Sequence, residues 1–269
     1  MRAVYISSTN DKHFGQAVAA IAAGKAVLCQ KPLALRVEDA GTMVRAAQAK
    51  GVSFATNHHL RRAGSHRAIR ALIAAGRIGR MLSLRVHHAV FLPPPLQGWR
   101  IDNPAAGGGV IADITVHDAD TVRCLPGEDP VDVVAQITAS GRGNGVEDSC
   151  MSVWSMPSGA QVFAHESYTD AFAGAGLEVH GSAGSIVARN VMTQRPVGEV
   201  ELVTAGGRGV IRFATDDLYA TGVAAFVAAM AGNGRPAADG VDGVKSPAIA
   251  MAVRQAAETG CRVAPVYES

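Results

Sequence analysis

The first sixty residues alternate between short apolar runs and longer stretches with helical spacing, and this pattern restricts the fold most. The apolar runs Ala3–Ser7, Ala26–Cys29 and Val52–Thr56 predict strands. The stretches His13–Lys25 and Val37–Lys50 carry apolar residues at helical spacing, with glycine near their ends. Because strands separated by helices of this length pair in parallel with right-handed crossovers, we expect the chain to begin with an α/β sheet.

The predicted pattern of secondary structure changes at about residue 80. Strand patterns then follow at short intervals with glycine-rich turns between them, which predicts a mostly antiparallel sheet. The predicted strands are Met81–Phe91, Val131–Ser140, Ser149–Met156, Ala160–Tyr168, Leu177–His180, Ser185–Arg189, Val197–Thr204 and Gly209–Ala214. The predicted helices are Ser65–Ala75, Val110–Cys124, Leu218–Ala231 and Pro247–Thr259. The fold class is therefore α/β followed by α+β.

Composition excludes several classes of protein. The chain has 269 residues, of which 48% are hydrophobic, so a sizeable core can form without disulfides. With 25 basic and 23 acidic side chains the formal net charge is +2, which argues against a nucleic-acid-binding protein. The apolar runs are shorter than the roughly 18 residues of a membrane span. Four scattered cysteines without a Cys-x-x-Cys pair predict a reducing, cytoplasmic location.

Two segments could carry catalytic chemistry. Lys31 follows the second predicted strand, at the strand end where ligands bind in open α/β sheets, and it could donate a proton or anchor a ligand. Gly107–Gly109 precede a predicted helix on which Asp113 and His117 are four residues apart. A carboxylate beside the imidazole would favour its charged, proton-donating form, which suits reduction of a carbonyl. Alternatively, Lys31 is a surface lysine and the Asp/His pair is an ordinary solvated one.

Three further patterns are less specific. Trp99 and Arg100 follow a proline-rich stretch, and could hold a ring and an anion or simply anchor the loop. The pairs His58-His59 and His87-His88 could supply metal ligands, but neighbours on a strand point to opposite faces and no zinc-type spacing occurs. Glycine clusters such as Gly206–Gly209 lie between strand patterns and predict hairpin turns, and no Gly-x-Gly-x-x-Gly occurs.

Several segments together resemble one enzyme family. They are Val4–Asn10 with His13, Gly24–Pro32, and the Asp-x-x-x-His helix within Gly107–Asp118. In these stretches, and over essentially the whole length, the chain resembles the glucose–fructose oxidoreductase/inositol dehydrogenase (Gfo/Idh/MocA) family. The resemblance implies hydride transfer between a nicotinamide cofactor and a sugar or polyol, here the reduction of a sugar-derived ketone. NADP(H) is the favoured cofactor, and NAD(H) is the alternative.

The resemblance also implies roles for individual residues. Lys31 and His117 would polarise the carbonyl and supply the proton, and Asp113 would orient them or hold a substrate hydroxyl. No metal site is implied. The residues implied to line the cofactor are Ser8, Thr9, Asn10, His13, Gln30, Lys31, His59, Trp99, Arg100 and Tyr219.

The chain departs from the family pattern in two ways. Gln30 stands where the family has glutamate, and the first three strands with their glycine motif are not in this sequence. We therefore expect residues 1–60 to form the C-terminal half of a Rossmann domain, and residues 61–269 an α+β substrate and oligomerisation domain. Its open sheet would have helices on one face. The run Ala3–Ser7 would then be an exposed apolar edge strand.

These departures leave alternative functions open. The chain could be an oxidoreductase that is active only when the missing half is supplied. It could also be a non-catalytic remnant that binds a sugar or oligomerises, and a metal-dependent hydrolase built on the histidines is a third hypothesis. Residues 131–214 are expected to mediate a homodimer. Neither a nucleic acid nor a membrane is expected as a partner.

Overall fold

The computed structural model describes residues 2–267, and its first sheet is parallel. Its strands are β1 (Ala3–Ile6), β2 (Ala26–Cys29) and β3 (Phe54–Thr56), paired in that order with Ala26 beside Ala3. Helices α1 (His13–Ala22) and α2 (Val37–Lys50) pack on one face of this sheet, and Phe226 of helix α6 (Leu218–Met230) packs on the other. Strand β1 is an edge of this sheet, and Tyr5 on it is 46% exposed. The described residues therefore contain a short parallel sheet with helices on both faces.

The bounds of the elements follow the sequence patterns closely. The strands are β1 Ala3–Ile6, β2 Ala26–Cys29, β3 Phe54–Thr56, β4 Met81–Ala89, β5 Asp132–Thr138, β6 Ser149–Ser155, β7 Gln161–Ser167, β8 Ala175–Gly181, β9 Gly184–Arg189, β10 Glu199–Thr204 and β11 Gly207–Val210. The helices are α1 His13–Ala22, α2 Val37–Lys50, α3 Gly64–Ala74, α4 Trp99–Asp102, α5 Val116–Cys124, α6 Leu218–Met230 and α7 Gly240–Thr259.

The second sheet is mixed and nearly all antiparallel. Its order is β11-β10-β9-β8-β4-β7-β6-β5, and the β4–β7 pair is parallel. Alternate residues, among them Trp154 and Leu84, point to a face covered by α5 and α7 and are fully buried. This α/β sheet followed by an open, mostly antiparallel sheet confirms the predicted fold class. The division at residue 60 stays a prediction.

Two predicted elements have different bounds in the structure. The predicted helix Pro247–Thr259 begins earlier, because Asp239 and Asp242 form a capping box that starts α7 before the proline. The predicted strand Gly209–Ala214 is wrong, since β11 is Gly207–Val210. Thr204 pairs with Gly207, so a two-residue turn closes the hairpin and the glycines after it belong to the strand.

The predicted helix Val110–Cys124 is not uniform. Residues Ile111–Thr115 form a π-helical turn with i→i+5 bonding, and the α-helix α5 follows from Val116. Such turns are rare in helices and frequent at functional sites, which draws attention to Asp113 within this one. Among residues 2–267, no helix is both long enough and apolar enough to cross a membrane.

Candidate active site

Asp113 lies at the centre of a cluster drawn from four parts of the chain. Lys31, just beyond β2, places its Nζ 2.7 Å from Oδ1 of Asp113 and 2.6 Å from the main-chain oxygen of that residue. Arg100 of α4 donates from Nε to Oδ2 at 3.2 Å. The hydroxyl of Tyr168, which follows β7, donates to the same Oδ2 at 3.0 Å. The structure thus joins Lys31 and Arg100 to Asp113, while the catalytic roles of Lys31 and Asp113 and the contact of Arg100 with a cofactor stay predictions.

The charges in this cluster hold Asp113 ionised. Burial alone would raise its pKa, but Lys31 and Arg100 outweigh burial and lower the pKa to about 2. The side chains of Lys31 and Asp113 are only 11% and 14% exposed, so water screens the pair weakly. Burial and the neighbouring Asp113 charge raise the pKa of Tyr168, which therefore stays a neutral hydrogen-bond donor. The cluster presents a fixed ammonium group beside a fixed carboxylate.

His117 lies next to this cluster but is not paired with Asp113. Its pKa is well below the usual value, because burial disfavours the charged ring and Lys31 and His59 add like charge. The expectation that Asp113 would hold His117 in its charged form is wrong. The wider π-turn changes the register between positions 113 and 117, and the Asp113 carboxylate is bonded to Lys31 instead. His117 is a neutral imidazole at pH 7.

Other histidines surround His117. The rings of His59 and His58 lie 4.8 and 6.4 Å from it, centroid to centroid, and His88 lies at 6.2 Å. The expectation that His58 and His59 point to opposite faces is wrong, because both follow β3 in irregular backbone and a 3₁₀ turn. His88 and His58 have other partners, Asp118 Oδ1 at 3.1 Å and a serine hydroxyl at 2.8 Å. No group of three candidate metal ligands occurs in residues 2–267.

A polar cluster at the ends of the parallel strands lies beside the histidines. The amide groups of Gln30 and Asn57 both donate to the hydroxyl of Tyr5, the latter at 3.0 Å. Tyr219 stacks on His59 with its ring centroid 4.9 Å away. Sequence reasoning missed Tyr5 and Asn57, although their positions on β1 and directly after β3 resemble that of Gln30 after β2.

The loop after β1 is held by its own polar residues. Asn10 donates from Nδ2 to the Gly107 carbonyl at 3.2 Å, and Ser8 donates to a glutamine of α1 at 2.8 Å. The ring nitrogens of His13 lie 2.8 Å from the Pro32 carbonyl and 3.2 Å from that of Ser8. Thr9 precedes a short 3₁₀ turn. His13 is fully buried and ties this loop to the Lys31 loop, so its contact with a cofactor stays a prediction.

The loop carrying Trp99 closes the other side of the cluster. The guanidinium carbon of Arg100 lies 4.6 Å from the Trp99 ring centroid, within cation–π distance. A Cβ on Gly108 would lie 2.7 Å from the Trp99 carbonyl, so the backbones meet where only glycine fits. The glycine run therefore allows this close approach, and the approach brings Arg100 to Asp113.

The residues present fit the nicotinamide half of a dinucleotide cofactor. They lie beyond the carboxyl ends of parallel strands, where such ligands bind in open α/β sheets. The buried Nδ1 of His59 has no hydrogen-bond partner among the described residues, and a bound ring could supply one. No Gly-x-Gly-x-x-Gly motif occurs in the sequence, and the contact of these residues with a cofactor stays a prediction.

Comparison with known families agrees with this geometry. Residues 1–58 match the oxidoreductase family with an NAD-binding Rossmann fold, and residues 66–187 match the GFO/IDH/MocA C-terminal domain. The chain belongs to the Gfo/Idh/MocA family of NAD(P)-dependent oxidoreductases that act on CH–OH groups of sugars and polyols.

Individual relatives sharpen this assignment. The chain is 53% identical over 259 residues to 1,5-anhydro-D-fructose reductase of Ensifer adhaerens, covering 96% of this chain and 78% of that one. An aldose-aldose oxidoreductase from Caulobacter crescentus, solved with glycerol, has the same fold with a TM-score of 0.91 and 24% identity, covering 98% and 79%. Levoglucosan dehydrogenase with NADH and levoglucosan gives a TM-score of 0.86 at 24% identity, covering 98% and 80%.

Proposed function

We propose that this protein reduces the carbonyl of a sugar-derived ketone of the 1,5-anhydro-D-fructose type, with a reduced nicotinamide cofactor as hydride donor. The observation that carries the proposal is the buried Lys31–Asp113 ion pair beside the neutral His117. The identity of 53% to a 1,5-anhydro-D-fructose reductase supports the choice of substrate class.

The side chains divide the work of carbonyl reduction. The cofactor, when bound, supplies a hydride to the carbonyl carbon. Lys31 uses two donor positions on Asp113, and its remaining N–H can bond to the substrate oxygen and stabilise the negative charge that develops there. The Lys31 ammonium can then give a proton to that oxygen, while neutral His117 donates a hydrogen bond to it from its ring N–H. Asp113 orients Lys31, and Arg100 and Tyr168 hold Asp113 in place.

The test compares the wild-type chain with Lys31→Met and a matched control, Lys50→Met, at the exposed end of α2. Reduction of 1,5-anhydro-D-fructose is followed by the loss of nicotinamide absorbance. We expect Lys31→Met to lower kcat/KM by at least about a hundredfold, since both charge stabilisation and orientation are lost. Lys50→Met should retain wild-type kinetics. Equal rates for Lys31→Met and wild type would overturn the assigned role.

Binding of the cofactor is tested separately from turnover. We propose NADP(H) as the favoured cofactor with NAD(H) as the alternative, and fluorescence titration with NADPH and NADH compares them. Saturable binding with substrate turnover supports the reductase. If the 269-residue chain binds neither nucleotide and reduces nothing, the alternative of a non-catalytic sugar-binding or oligomerising domain is favoured.

We also propose that the open face of the large sheet pairs with a second copy. Val134, Val153 and Phe163 are cross-strand neighbours on this face and each is about 40% exposed. Apolar side chains side by side on an open face are typical of interfaces. Light scattering should give twice the chain mass, and Val153→Asp should halve it, whereas Val210→Asp on the far edge strand should not. A wild-type monomer would refute this proposal.

A further inference from the structure

A second recess lies behind the histidine cluster and shares no lining residue with the Lys31–Asp113–His117 site. It has a volume of about 260 Å³ and opens between the 3₁₀ turn after β3, helices α3 and α5, and the segment before α7. Typical ligand pockets are roughly 300–1,000 Å³, so a recess of this size suits a small molecule.

Every charged side chain that lines this recess is an arginine. Arg61 is neutralised, because it is bonded to Asp120 and Asp242 deeper in the protein. Arg67 is paired with Asp216 at 3.2 Å. Arg62 donates only to the main-chain oxygen of Thr221, and no carboxylate within residues 2–267 pairs with Arg62 or Arg70. The recess therefore carries an excess of positive charge that the described residues do not balance.

Two buried polar atoms of the lining lack a hydrogen-bond partner among the described residues. They are Nε2 of His66, on α3, and Oγ1 of Thr121, on α5. The residues are only 4% and 2% exposed, and unpaired buried polar atoms are rare because each costs free energy. Ser65 Oγ lies 3.3 Å from Nδ1 of His66, and when this hydroxyl donates, Nε2 carries the hydrogen.

The unbalanced arginines and the unpaired polar atoms favour the same kind of ligand for this recess. A tetrahedral oxyanion supplies several acceptor oxygens at once, which the guanidinium groups of Arg62 and Arg70 match. His66 and Thr121 line the same recess, and a small side-chain movement that turns their unpaired Nε2 and Oγ1 towards the ligand would let these oxygens accept from both. We infer that this recess is a second ligand site, separate from the reductase site, that binds a phosphate group, either free phosphate or the phosphate of a small sugar phosphate.

The experiment measures binding to the full chain by isothermal titration calorimetry at constant ionic strength. Inorganic phosphate and glucose 6-phosphate are titrated in separate arms, with sodium chloride as the blank. The variant is Arg70→Gln, because this exposed arginine has no described ion pair whose loss would disturb the fold. The matched control is Arg77→Gln, an exposed arginine just after the same helix that does not line the recess.

We expect saturable binding of at least one probe, weakened about tenfold or more by Arg70→Gln and unchanged by Arg77→Gln, since a charge-assisted hydrogen bond is lost. Tighter binding of glucose 6-phosphate than of phosphate identifies a sugar phosphate as the ligand class, and the reverse identifies free phosphate.

Absence of saturable binding in both arms would overturn the inference. Equal weakening by both variants would also overturn it, because general charge would then explain the binding. We expect the same binding of the probes with and without NADPH, because the recess shares no lining residue with Lys31, Asp113 and His117, so this test is independent of the proposed reductase activity.

Discussion

Asp113→Asn removes the negative charge that Lys31 and Arg100 share. The pKa of Asp113 is lowered from its ordinary 3.8 to about 2, and this corresponds to about 2.5 kcal/mol of stability at neutral pH. Removing one partner of a buried ion pair usually lowers the free energy of unfolding by about 3–5 kcal/mol, because the other charge is left unpaired. The two side chains keep 11% and 14% exposure, so we expect about 3 kcal/mol.

The stability difference between wild type and Asp113→Asn should depend on pH. A lowered pKa in the folded state means that the stabilisation is present above the unfolded value and is lost as the pH falls through the folded value. Urea unfolding of wild type and Asp113→Asn should therefore differ by about 3 kcal/mol at pH 7, and the difference should shrink as the pH falls from about 5 towards 2.

A control on the same loop separates this effect from a general loss of charge. Asp102 is exposed at the end of α4, and Asp102→Asn should stay within about 0.5 kcal/mol of wild type at every pH. A difference for Asp113→Asn below about 1 kcal/mol at pH 7, or one that does not change with pH, would refute the ion-pair reasoning.

Two further predictions concern folding stability. Gly109→Ala should lower the free energy of unfolding by about 2–4 kcal/mol, because Gly109 has φ +102° and a Cβ would lie 2.4 Å from Glu147 Oε1. The control Gly127→Ala, at φ +78° with open space around it, should lower it by only about 1 kcal/mol. Equal losses for the two variants in urea unfolding would contradict the role of the Glu147 contact. Burial and the neighbouring Asp118 charge raise the pKa of Glu166 well above its usual value, so wild-type stability should fall as the pH rises above about 4.5, whereas Glu166→Gln should flatten that fall. Urea unfolding at pH 5 and pH 8 measures the slope, and parallel slopes would count against a buried protonated carboxyl.

Local patterns in the sequence determined which elements form. Alternating apolar runs and helical spacing place β1–β3 with α1 and α2 in a parallel sheet, and the short alternating strands after residue 80 predict the open sheet. They also place Lys31 at a strand end, because the carboxyl ends of parallel strands meet at one edge. These features depend on residues near one another in the chain, which is why periodicity detects them.

Only the tertiary structure decided the partners within the site. The spacing of Asp113 and His117 suggested a carboxylate–imidazole pair, yet Asp113 bonds to Lys31, 82 positions away, and to Tyr168. The polar cluster around Tyr5 likewise joins residues that are far apart in the chain, since Tyr5 lies on β1 while Gln30 and Asn57 follow β2 and β3. These contacts depend on how β1, β2, β3 and β7 pack with the segment that carries Asp113, and a contact between distant segments leaves no periodic pattern in a single sequence.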